Sequence, residues 1–228
     1  MARIIYRNTK GIILPSVTTV LNNLGWKTAG LVGWAYNQGL QGLDMYEEKG
    51  KAANVGTVGH KLIEIDCLKG SVAPNDIDTL MVRYGEEIVD QALVALESWT
   101  AWRGNHEFDA IGAEESLVSE ELQVGGTPDL RLDFTAAYVE GERSLVSLKV
   151  TKGFYPDHIV QEAAYKLIWE ENYPDEPIEA LHWLILGKEE PSFSHHWMPG
   201  DSKKVKAAER AFVIARELHD IHKVLRRK

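Results

Sequence analysis

The chain has 228 residues, 44% of them hydrophobic and 26% charged, which is enough apolar content for one sizeable core and excludes a disordered segment. A formal net charge of −9 excludes attachment to nucleic acid through a general basic coat and leaves room only for a local basic track. The single cysteine, Cys67, excludes an intramolecular disulfide and any all-cysteine zinc or iron–sulfur site.

The amino-terminal stretch MARIIYRNTKGIILP has no long apolar run, and nowhere does the chain approach the roughly 18 apolar residues of a membrane span. A soluble cytoplasmic protein without a targeting segment is therefore expected. In LPSVTTVLNNLGW, Ser16 is placed to cap a short helix that stops near Gly25, and LVGWAYNQGLQGL continues at helical spacing. Residues from Lys51 to about Leu68 suit a helix with His60 and Glu64 on one face, and residues 76–103 form the longest helical pattern. The period then shortens: FDAIGAEESLV, GTPDLRLDF and AAYVEGERSLVSLKV read as short strands separated by glycines and charged turns. DHIVQEAAYKLIWEEN returns to a helix, ALHWLILG and SFSHHWMP give two more strands, and the last 27 residues, from Ser202, are helical. This order predicts one α/β domain over 1–228, with a mainly helical cover (1–105) and a mixed sheet with flanking helices (106–228).

The chemistry concentrates in Gly126-Thr127-Pro128-Asp129, Ser147-Leu148-Lys149, and the following helix from Gln161 to Tyr165. Strand alternation turns Ser147 and Lys149 to one side and Val146, Leu148 and Val150 to the other. If Asp129 lies on the neighbouring strand, a carboxylate and an ammonium meet at the sheet edge, where a divalent metal and a phosphate fit between them. Phosphodiester hydrolysis uses such a pair: the acid anchors Mg²⁺ or Mn²⁺, the metal activates a water, and the lysine steadies the developing charge. His60 adds a nitrogen donor, favouring Mn²⁺, with Glu64 one turn on to orient it. Lys149, Lys152 and Arg131 supply a basic track for phosphates, whereas Lys223, Arg226, Arg227 and Lys228 suit the negative end of the last helix. Asp133 reads as structural, and Trp26 and Trp34 as core residues before base-stacking ones. There is no GxxxxGK loop, no GxSxG elbow and no zinc-spaced histidine pair, and adjacent His195 and His196 fall on opposite faces of a strand.

PSVTTVL, GTVGHKLIE, GTPD, SLK with Val150 and Thr151 after it, and QEAAY together resemble the successive motifs of the RecB-type PD-(D/E)xK exonucleases, over about Pro15 to Tyr165. That resemblance implies the restriction-endonuclease-like fold, a mixed central sheet flanked by helices with an N-terminal helical region covering the site. It also implies a DNA exonuclease that takes single-stranded ends and uses Mg²⁺ or Mn²⁺. Carried over by position, His60 and Asp129 become metal ligands, and Lys149 the catalytic lysine. Gln161 and Tyr165 become residues that position the lysine, the water or a phosphate, and a backbone carbonyl of Leu148 or Val150 a further ligand. Glu115 matches a position where the family often has an acid. Two departures stand out: Ser147 occupies the place of the acid two residues before the lysine, and Val150 that of a common threonine. With Ser147 neutral, a carboxylate from a neighbouring element, Glu162 or Glu115, could reach the same cation. The competing reading is an inactive DNA-binding or partner-binding protein on the same fold.

Overall fold

The structure, a computed structural model, describes residues 4–135, 142–151 and 153–226. The chain opens with an irregular arm, and helix α1 (Val17–Leu21) begins where the Ser16 hydroxyl accepts from the Thr19 N–H. A 3₁₀ turn (Asn22–Leu24) and α2 (Thr28–Leu40) follow. Helix α3 (Met45–Lys69) starts six residues before the sequence pattern predicts. The Asp44 carboxylate caps it by accepting from the Tyr46 and Glu47 N–H groups, and Glu47 and Glu48 complement the positive end of the dipole. The single long helix expected over 76–103 is two, α4 (Pro74–Tyr84) and α5 (Glu86–Arg103). Gly85 separates them at φ +86, ψ 157, a conformation a helix cannot contain and a side chain would strain.

Five strands make the central sheet: β1 (Phe108–Ala113), β4 (Leu130–Phe134), β5 (Glu142–Lys149), β6 (Ala180–Leu186) and β7 (Phe193–Pro199), side by side in that order. All neighbours are antiparallel except β5 and β6, whose parallel pairing is bridged by α6 (Pro156–Asn172). Strands β2 (Leu117–Ser119) and β3 (Val124–Gly126) form a separate hairpin, so two of the runs read as continuous strands are each broken in two. The last helix, α7 (Lys203–Leu225), is capped by Ser202.

The protein is thus an α/β fold with a mixed five-stranded sheet flanked by helices. On one face Leu145, Leu181 and Trp183 pack with α1, α6 and α7; on the other Leu132, Phe134, Val146 and Leu148 pack with Trp99 and Trp102 of α5 and Ile63 of α3. A third apolar cluster joins Val58 and Leu62 of α3 to Ile88 and Val89 of α5. Helix α2 buries none of its residues, so Trp34 is half-buried, and Trp26 just before it is 53% exposed; neither is the fully buried core residue expected. Among the described residues no helix is long and apolar enough to cross a membrane.

Strand alternation places His195 and His196 on opposite faces, as expected: His196 stacks on Phe154, while His195 enters a buried polar chain. The Trp102 indole N–H can only donate, so the Nδ1 of His195, 3.2 Å away, accepts. Its Nε2 then carries the proton and donates to His182 Nδ1 at 2.9 Å, leaving His182 Nε2–H to donate to the Glu142 carboxylate at 3.0 Å. Burial, with the charges of His182, His106 and His196, pushes His195 down to about 3; burial also lowers His182, against the pull of Glu142. Unfolded histidines bind a proton near pH 6.5, so between there and about pH 3 the unfolded state holds more protons and stability falls as pH falls. The urea midpoint should therefore decline from pH 7 to pH 4. His195→Gln, which can still accept from Trp102 and donate to His182 without titrating, should flatten part of that decline, and an unchanged slope would contradict the order of protons from Trp102 to Glu142.

Candidate active site

Asp129 lies at the entrance of β4, one residue before the strand begins, with its backbone carbonyl accepting from the Glu114 N–H at 3.0 Å. Its carboxylate turns to β5, where the Leu148 N–H donates to Oδ2 at 2.8 Å and the Ser147 hydroxyl does so at 3.3 Å. The Lys149 ammonium donates to the Ser147 hydroxyl at 2.5 Å and stands 3.7 Å from the same Asp129 oxygen. On the other side, His60 Nδ1 is 3.5 Å from Asp129 Oδ1 and 4.0 Å from Glu114 Oε1. His60 reaches this point because α3 crosses the end of β5 closely: a Cβ on Gly59 would sit 3.3 Å from the Val150 side chain. His60, Glu114 and Asp129 each offer a ligand atom, all within 4.8 Å of one another.

The electrostatics follow from this crowding. Burial opposes the charge on Asp129, but the positive charges of His60 and Lys149, with hydrogen bonds from His60 and the Leu148 N–H, outweigh it and hold the carboxyl well below the usual range. Burial likewise disfavours a charged His60, yet Asp129 outweighs it and raises its affinity for a proton. Glu114 is pushed up to about 7 by burial and by the negative Asp129 beside it. Glu162, fully buried on α6, is pushed up to about 8 by burial and by Asp129, against the pull of Lys149 and Ser147. Neither Glu162 oxygen has a hydrogen-bond partner. Glu162 is thus a neutral acid at pH 7 with unmet hydrogen-bonding capacity, unlike the paired acids elsewhere in the core.

The structure therefore brings His60, Asp129, Ser147 and Lys149 together, with α6 packed beside them. Gln161 and Tyr165 sit on that helix and bond to each other, Nε2–H to the phenol oxygen at 3.0 Å. Leu148 holds Asp129 through its N–H, and Val150 packs against α3. Glu115 lies elsewhere: its carboxylate accepts from the Tyr173 hydroxyl at 2.5 Å, and Glu114 takes the place beside His60. The physical reason is a register shift in β1 between Ala110 and Gly112 together with the left-handed backbone of Glu114 (φ +52), so residue parity cannot be counted along this segment. Glu64 pairs with Lys61, three residues earlier on α3, at 2.7 Å. Arg131 is engaged by Glu176 at 3.0 Å and lies over the Trp169 ring at 4.6 Å, on the α6 face, so its guanidinium serves packing. Lys152, expected to contact nucleic acid, lies outside the described residues, as do Arg227 and Lys228. Asp133 is near Arg143 at 3.9 Å, away from the cluster. With Glu114 present, negative charge at the cluster does not rest on Asp129 alone.

No protein-family model matches the sequence. No curated protein matches it either. Among solved structures, the chain is similar to a crystal structure named "Putative exonuclease" from Eubacterium rectale. The identity is 10% and the TM-score 0.43, with 75% of this chain and 66% of that one covered. The chain thus spans just under two thirds of the length of that structure.

The first residue of the GTPD motif has a steric role. The Tyr165 ring lies against Gly126 so closely that a Cβ there would fall 2.8 Å from two ring carbons and 3.0 Å from Ile168. Gly126→Ala should therefore destabilise the fold by about 1–3 kcal/mol through overpacking, seen as a lower urea midpoint. An unchanged midpoint would mean that Tyr165 and α6 move aside freely.

Proposed function

We propose that this chain is a nuclease that hydrolyses DNA phosphodiesters with Mg²⁺ or Mn²⁺, acting at DNA ends. The observation that carries this reading is the His60, Glu114 and Asp129 group, within 4.8 Å, with the Lys149 ammonium 3.7 Å from Asp129. The donor set fits a divalent cation: two carboxylates and an imidazole suit Mg²⁺ or Mn²⁺, the imidazole favouring Mn²⁺. Glu114 supports the fit, since a carboxyl driven up to about 7 by burial and a neighbouring acid is a site short of positive charge. When bound, the cation polarises a phosphoryl oxygen and makes a nearby water acidic enough to attack.

The chain's own groups do the remainder. Asp129 is held in place by the Leu148 N–H, and a backbone carbonyl of Leu148 or Val150 adds an oxygen donor. The Lys149 ammonium, anchored on the Ser147 hydroxyl, donates to the attacking water or to a phosphate oxygen as negative charge builds there. Gln161 and Tyr165, bonded as a pair on α6, position a phosphate or the lysine. DNA as substrate, and single-stranded ends in particular, is supported by the order of the sequence motifs shared with RecB-type exonucleases.

End-labelled single- and double-stranded DNA should be shortened in the presence of Mg²⁺ or Mn²⁺ and left intact after chelation. Lys149→Ala and Asp129→Asn should each slow cleavage by about 10²–10³-fold, roughly 3–4 kcal/mol of transition-state stabilisation. Absence of cleavage with either ion, alongside salt-sensitive DNA binding, would instead make the chain a DNA-binding protein on this fold.

A further inference from the structure

We propose that Glu162, delivered from α6, is a ligand of the divalent cation held at Asp129. The inference rests on the cation-dependent reading above and adds a member to that site. Glu162 is 0% exposed, and neither carboxylate oxygen has a hydrogen-bond partner. The other buried acids among the described residues are all served by the fold: Glu142 accepts from Ser144 and His182, Asp157 pairs with Lys27, and Glu209 with Lys166. A fold that supplies partners to three buried carboxylates and none to the fourth leaves that one for a partner arriving from outside.

The surroundings specify that partner as a cation. Lys149 and Asp129 are the charged groups that act on Glu162; the Ser147 hydroxyl lies beside it, but its one proton goes to Asp129 Oδ2, which leaves both Glu162 oxygens without a donor. Ser147 is fully buried and faces α6 from β5, two residues from Lys149 on the same strand face, so the strand contributes a neutral oxygen there and the helix contributes the charge. Gln161 and Tyr165 satisfy each other and leave Glu162 to the site. Asp129 is the shared member, with Oδ1 towards His60 and Oδ2 towards Ser147 and Lys149. In the cation-free chain the Lys149 ammonium is the positive group at this point. A hard divalent ion, Mg²⁺ or Mn²⁺, matches an all-oxygen addition of this kind, whereas a soft ion does not.

Mn²⁺ binding to the full chain, followed by electron paramagnetic resonance, tests the assignment. Glu162→Gln keeps the shape and removes the charge; it should weaken Mn²⁺ binding by about 10–100-fold while the melting temperature without metal holds or rises. Adding Ser147→Asp to that variant, which restores a carboxylate from the strand side, should recover most of the lost affinity. Equal Mn²⁺ affinity in Glu162→Gln and the unsubstituted chain overturns the proposal and leaves the nuclease reading standing. That reading fails separately, and the proposal with it, if the unsubstituted chain binds no Mn²⁺ at millimolar concentration. Should Glu162→Gln fail to fold, Glu162→Asp, one methylene shorter, must also bind Mn²⁺ more weakly, and unchanged affinity there overturns the proposal equally.

Discussion

The site depends on one half-buried carboxylate. Asp129 is tied to β5 through the Leu148 N–H, to β1 through its own carbonyl, and to α3 through His60. Each tie fixes the position of a different element relative to the others. The carboxylate stays ionised against the cost of burial because positive groups flank it on both sides, His60 at one oxygen and Lys149 at the other. A cation there would replace contacts the fold already makes rather than gather scattered ligands.

The two faces of the sheet treat buried polar groups in opposite ways. Towards α5, Trp102, His195, His182 and Glu142 form a chain in which each donor has one acceptor and the order of protons follows from the indole, which has no alternative role. Towards α6, Glu162 is buried with both oxygens unpartnered, and Lys149 is shared between a hydroxyl and a carboxylate. The first arrangement is complete as folded and serves stability. The second holds a buried acid for which the fold supplies no partner.

Close packing at the glycines links the two functions of the sequence motifs. Gly126 admits the Tyr165 ring, Gly125 admits the Tyr6 ring, and Gly59 admits the Val150 side chain. The first two contacts bring α6 and the amino-terminal arm against β3, just ahead of Asp129, and the third brings α3 against the end of β5 next to Lys149. Tyr6 then reaches the Thr127 hydroxyl at 2.8 Å, so the arm, which carries no periodic pattern, helps hold the turn before Asp129.

The alternation of β5 and the helix bearing Gln161 and Tyr165 were legible in the sequence, because strand parity and helix spacing are local properties of the backbone, whereas the approach of Asp129 to Lys149 hung on β4 lying beside β5. The same local rules place His195 and His196 on opposite faces. The division at Gly85 was written in the chain as a glycine, but its left-handed backbone is decided by how α4 and α5 pack. Glu114 in place of Glu115 was out of reach, since the register shift in β1 and the positive φ of Glu114 arise from pairing with β4, which no count along one segment can anticipate. Arg131 and Glu162 differ in the same way. A basic residue on a strand looks available until Trp169 and Glu176 are seen to occupy it, and which of the two candidate acids, Glu115 or Glu162, is buried near Ser147 shows only once α6 is packed on the sheet. Sequence alone determined which residues share a face of each element. Tertiary structure decided which of those faces were buried against which partners, because burial and pairing depend on contacts between segments far apart in the chain.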